Sequence, residues 1–132
     1  MAHYDIERSQ RRWDAQIKRF GGPAILRSAS GGDRMISYMP VQFSALERLG
    51  GVSNPSDNKA LVSAIDPQTG LQLAIEPHET EMLVTLKMSN GVPVLDAAGN
   101  VQEEEHYKQF APPTPIGPVR STPLYWKLQV RA

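Results

Sequence analysis

Cysteine is absent from this 132-residue chain, which removes disulfides, thiolate metal sites and cysteine nucleophiles together. No apolar run approaches the roughly 20 residues that span a bilayer. The opening MAHYDIERSQRRW is charged from Asp5 onward and lacks the apolar stretch of a signal peptide. A water-soluble chain kept in a reducing compartment is expected. Net charge is zero, whereas dedicated nucleic-acid binders usually carry a basic excess. The motifs GxSxG, HExxH, GxxxxGKS/T and GxGxxG are missing, and none of the Gly-Gly pairs at 21–22, 31–32 and 50–51 follows a strand to open a helix. His78 in PHETE and His106 after Glu103-Glu104-Glu105 offer metal-ligand types. Neighbours on a regular strand point to opposite faces, so such runs seldom converge on one ion. Neither catalysis, nor a metal, nor a cofactor is expected.

What is present is a foldable chain, 40% hydrophobic and 21% charged. Glycine and proline together number 21, which favours short elements joined by turns over a helical bundle. The length suits a single domain, 1–132. Zero net charge hides a segregation. Between Asp66 and Glu105 eight acids face one base, Lys87, leaving 13 bases and six acids elsewhere. A surface divided in this way can pair with copies of itself or with a complementary partner.

Residues 3–20 read as an amphipathic helix, with Ile6, Trp13, Ile17 and Phe20 on one face. That narrow stripe must pack on the chain's own sheet or on a neighbouring subunit, and it is a candidate assembly face. Gly21-Gly22-Pro23 stops the helix. Beyond it the apolar period changes to two. Strands are expected at 24–28, 34–45, 59–66, 71–76, 82–88, 92–95, 101–107 and 124–131, the last carrying Leu124, Trp126, Leu128 and Val130 in strict alternation. Segments 59–66 and 71–76 form a hairpin candidate, as do 92–95 and 101–107. Residues 46–58 and the proline-rich 108–122 read as loops. The expected fold is mainly β: a small antiparallel barrel or sandwich over 24–131 preceded by one helix.

Three segments carry a resemblance. Ile17-Lys18-Arg19-Phe20-Gly21-Gly22-Pro23-Ala24-Ile25-Leu26-Arg27 runs from helix through Phe-Gly and Pro into a short strand ending in Arg. Ala60–Asp66 is followed after a turn by Ile75-Glu76-Pro77 and Leu83-Val84-Thr85. Pro115-Ile116-Gly117-Pro118 precedes Leu124–Arg131. In this order the chain resembles the head-closure (stopper) proteins of the neck of long-tailed bacteriophages, the head-tail connector family related to the SPP-type and HK-type neck proteins. It departs from them in a longer stretch over 87–107 and in having Ser56-Asp57-Asn58-Lys59 where the family usually has Gly-Asp-Arg.

The resemblance implies a virion structural protein, made in the host cytoplasm and placed at the head-tail interface. Such subunits form a ring, commonly a hexamer, below the portal-adaptor ring. They close the channel on packaged DNA and present a platform to the tail-completion or terminator protein below. The family's channel plug lies between its second and third strands, which by element order places it on Leu46, Glu47, Arg48, Leu49, Gly50, Gly51, Val52, Ser53 and Asn54. The acidic Glu103-Glu104-Glu105 is expected to face the ring's lumen or a basic neighbour. Two alternatives stand beside this reading: a tail-completion or tail-terminator ring subunit, and a monomeric β-barrel binding module. The second would need its strand aromatics on one exposed face, and Tyr125 and Trp126 are adjacent and so point opposite ways.

Overall fold

The computed structural model describes residues 5–41 and 57–131. Helix α1 (Ile6–Phe20) is capped by Asp5, whose carboxylate accepts from the Arg8 amide at 2.9 Å. Its last turn holds Lys18 and Arg19, which suit the negative end of the helix dipole. Nine strands follow among the described residues: β1 (Gly22–Arg27), β2 (Asp33–Val41), β3 (Asp57–Ser63), β4 (Met82–Leu86), β5 (Met88–Ser89), β6 (Val92–Pro93), β7 (Glu103–Gln109), β8 (Thr114–Ile116) and β9 (Tyr125–Arg131). All the pairings are antiparallel and run β3-β2-β1-β4-β7-β9, and β9 returns to β3. The six strands therefore close a barrel, and β8 extends the pairing of β9 beyond β7.

Closure is tightest along the β3–β9 seam, paired from Asp57↔Arg131 to Ser63↔Tyr125. Trp126, Leu128 and Val130 turn inward from β9 and meet Ala24, Leu26, Ile36, Ala60, Val62 and Leu83. Leu26, Ile36 and Leu128 are fully buried, so the barrel is filled by its own side chains. Its outer face carries a second cluster, Ile25, Val84 and Leu86, covered by Met35, Met82 and Val101. At the seam's end Arg131 donates two hydrogen bonds to the fully buried Asp57 carboxylate, at 2.7 and 2.9 Å. Its guanidinium also lies 4.7 Å from the centre of the Phe110 ring.

The helix lies on the barrel's own wall. Ile17 is fully buried, and the Trp13 ring sits 4.5 Å from that of Tyr125. Gln10 is buried beside them and donates to the Pro123 carbonyl at 2.8 Å, while the Ser63 hydroxyl donates to Asp14 at 2.6 Å. At Gly21 an added Cβ would meet the Tyr38 carbonyl oxygen at 1.8 Å, so only glycine lets the helix turn into β1 this closely.

Several boundaries differ from the sequence expectation. Residues 71–76 do not continue a hairpin: β3 ends at Ser63 and a single bridge, Ile65↔Gln72, remains. The carbonyls of Ile75 and Glu76 accept from Arg34 instead, so they are not offered to a ladder. The stretch 92–95 pairs mainly backward, Met88↔Pro93 and Ser89↔Val92, across Asn90-Gly91 with both φ positive, a turn that twists in the sense hairpins require. Leu95↔Val101 is a lone bridge, and β7 pairs with β4 and β9. Within the expected loop 108–122, β7 reaches Gln109 and β8 forms despite Pro115, which sits on an edge strand where a missing N–H is tolerated. Asp57 and Asn58, expected in a loop, open β3.

These contacts rank the consequences of mutation, read as shifts in urea-unfolding midpoint. Leu128→Ala is expected to cost about 2–5 kcal/mol through the cavity it leaves. Arg131→Ala strips the buried Asp57 of its guanidinium and is expected to lower the midpoint clearly, by less than Leu128→Ala. Arg11→Ala removes only a surface pair with Glu7 and should stay within about 0.5 kcal/mol.

Candidate functional site

Strand β7 pairs with β9 at Lys108↔Arg131 and Gln109↔Val130 among the described residues. On its other side β7 pairs Tyr107 with Leu83 and His106 with Val84, and then Glu103 with Leu86. Glu104 and Glu105 thus both stand opposite the single residue Thr85. This is a β-bulge, which kinks the strand and re-aims a side chain. The Glu105 amide displaced from the ladder donates to the Thr85 hydroxyl at 3.1 Å.

The bulge brings both carboxylates to one opening. A cleft of about 560 Å³ at this end of the barrel is bounded by Glu104, Glu105 and Tyr107 on one side and by Tyr38 and Lys59 on the other, over an apolar floor that includes Leu83. The Tyr107 hydroxyl donates to Glu105. Burial, and then this bond to a carboxylate, push the Tyr107 phenol up to about 12. Burial and then the charges of Glu104 and Glu105 raise that of Tyr38. Both phenols are therefore protonated donors near neutrality. The Glu104 side chain has no hydrogen-bond or ion-pair partner among the described residues. Two carboxylates, two phenols and an apolar floor suit a cation on an apolar stem, such as an arginine or lysine side chain.

Glu103 belongs elsewhere. It accepts from Arg27 at 2.7 Å and contacts the His106 ring at 3.0 Å, while Arg27 also holds Asp33 at 2.8 and 3.0 Å. The Arg27 bond, and then that of His106, hold the Glu103 carboxyl down at about 2. Arg27 likewise keeps Asp33 below the usual carboxylate range. A third group fastens the 75–81 segment: Arg34 binds Glu81 at 2.7 and 3.1 Å, Glu81 accepts from the His78 amide at 2.7 Å, and the His78 ring meets the Thr80 hydroxyl at 2.8 Å. Among the described residues no three histidine, cysteine or acidic side chains are grouped to hold a metal ion. No helix of these residues is long and apolar enough to cross a membrane.

The residues singled out from sequence divide in three ways. The candidate plug, Leu46–Asn54, lies outside the described residues. Of the candidate assembly face, Trp13 and Ile17 are occupied within the chain, Ile6 is half-buried, and Phe20 stands 62% exposed under the Arg19 guanidinium. The acidic triplet is split, with Glu103 bound to Arg27 and its two neighbours at the cleft. Sequence reasoning did not reach Tyr38 and Tyr107 as partners of those acids, because a bulge has no sequence signature in a run of glutamates. No protein-family model matches the chain, and no curated protein or solved structure matches it significantly.

Two titrations test these assignments. Glu103 contributes stability that is full above its ordinary value near 4.5 and is lost as pH falls toward about 2. Glu103→Gln should therefore flatten the acid limb of an unfolding-versus-pH curve. At the other extreme the raised Tyr107 phenol contributes stability present below pH 10 and lost toward about 12. Phenolate absorbance should show a late-ionising tyrosine that Tyr107→Phe removes.

Proposed function

We propose that the chain is a structural subunit of a tailed-bacteriophage neck, forming the ring that closes the head after packaging and receives the tail. The observation that carries this reading is the element order: a helix, the Gly21-Gly22-Pro23 turn, and a closed six-strand antiparallel barrel whose β2 and β3 are joined by residues 42–56. That join is where the resembling family carries its channel plug.

The barrel's filling adds a physical reason. Its interior is packed with Leu26, Ile36, Val62 and Leu128, so no duplex passes through one subunit. A channel role then requires several copies around an axis, with function on the outer surfaces. Trp126 is in the core and Tyr125 packs on Trp13, so neither is free to stack a base.

Electron microscopy of particles produced without this chain tests the reading. Heads that have lost their DNA, lie tailless, and accumulate beside complete free tails are the expected result. Full heads that retain DNA but bear aberrant tails would move the role to tail completion, and normal particles would remove it from the neck.

A further inference from the structure

Helix α1 carries a row of arginines on its outward side. Arg8, Arg12 and Arg19 fall within about 40° of arc on a helical wheel, opposite the buried Ile17. The other bases of the helix's middle and end have carboxylate partners: Arg11 meets Glu7 at 3.3 Å and Lys18 meets Asp14 at 2.9 Å. Among the described residues none of the three outward guanidiniums is bridged to a carboxylate, and Arg19 rests 5.3 Å over the exposed ring of Phe20. A charged stripe of three arginines with an apolar flank is matched in the same chain by the Glu104–Glu105 lip with its apolar floor.

The two patches are separate within one molecule: among the described residues no hydrogen bond or ion pair joins Arg8, Arg12 or Arg19 to Glu104 or Glu105. The helix packs on β1, β2, β3 and β9. The acidic pair sits on β7, a strand the helix does not pack on, at the cleft in the barrel's end. We propose that the outward arginine stripe of α1 in one copy seats on the Glu104–Glu105 lip of the next. Because the patches are two different surfaces, each copy offers one to either neighbour, a heterologous contact that propagates and, where the rotation closes, forms a ring. The contact rests on the neck-ring reading and gives that ring its subunit interface. A nucleic-acid backbone is the competing occupant of the arginines. The complementary acidic lip and the zero net charge favour a second copy.

The test uses the full chain. R8E/R12E/R19E and E104K/E105K variants, checked for folding by circular dichroism, are compared with wild type by sedimentation velocity, alone and mixed. Each reversal alone should weaken self-association about tenfold or more, since like charges then face each other. Mixing the two should restore it, because an acidic helix now meets a basic lip and a basic helix an acidic lip. Raising salt from about 0.05 to about 0.5 M should weaken the wild-type assembly.

Absence of cysteine from the chain allows a second readout independent of charge reversal. Oxidised R12C/E104C should give a ladder of disulfide-linked oligomers, and an R12C/Q68C control should not. A positive ladder from a chain that sediments as a monomer supports a weak contact of this geometry. No ladder above the control overturns the proposal, and so do reversals that leave wild-type assembly unchanged. Loss of short-duplex DNA binding on helix reversal, with no effect on self-association, overturns it in favour of nucleic acid. If assembly obeys the charge swap but particles lacking the chain are normal, the neck reading falls and the contact stands. If such particles fail and the swap is silent, the contact falls alone.

Discussion

Strand β9 is the element on which the rest depends. It pairs with β3 along one edge and with β7 and β8 along the other, so it is the piece that turns a sheet with two open edges into a ring. An open sheet of this size presents unpaired N–H and C=O groups that invite other chains, whereas closure satisfies them internally. The same strand delivers Trp126, Leu128 and Val130 to the interior, so hydrogen-bonded closure and burial of the core are one event. The Asp57–Arg131 pair fixes the register. A fully buried carboxylate is tolerated because a guanidinium reaches it with two bonds, and a slip of one residue would break both.

The β4–β7 pairing decides where the acids converge. Between His106↔Val84 and Glu103↔Leu86 the register shifts, and the bulge at Glu104-Glu105 lies in this stretch. These acids, turned together by the bulge, make an electronegative lip over apolar floor. The site is therefore a by-product of a register shift within a closed barrel.

Much of this was legible beforehand, for physical reasons. The alternation on 124–131 reads correctly because one face of β9 is core and the other is not. The Gly21-Gly22-Pro23 stop and the Asn90-Gly91 turn are local chemistry, and both fall where expected. Long-range competition was not legible. Leu71–Glu76 has a strand's composition, yet Leu71 and Ile75 are exposed because Arg34, on a different strand, captures the carbonyls of Ile75 and Glu76. The helix stripe was read as one face, yet Phe20 departs from it and Gln10 joins it, since Gln10 finds the Pro123 carbonyl across the interface. At the candidate site the acids were visible and their convergence was not.

The charge segregation seen along the sequence shrinks in space, and that sharpens its meaning. Of the eight acids between Asp66 and Glu105, Asp66 and Asp96 accept backbone amides in turns, Glu81 is held by Arg34, and Glu103 is shared by Arg27 and His106. Those charges are committed within the fold and have little left to offer a partner. Among the described residues Glu104 has no hydrogen-bond or ion-pair partner at the cleft, and Glu105 accepts from one phenol. On the helix, pairing with Glu7 and Asp14 removes Arg11 and Lys18 and leaves Arg8, Arg12 and Arg19. The imbalance along the sequence thus contains two distinct local patches, an arginine stripe on α1 and an acidic pair on β7. Two different patches define a direction around a ring, which a diffuse imbalance of charge does not.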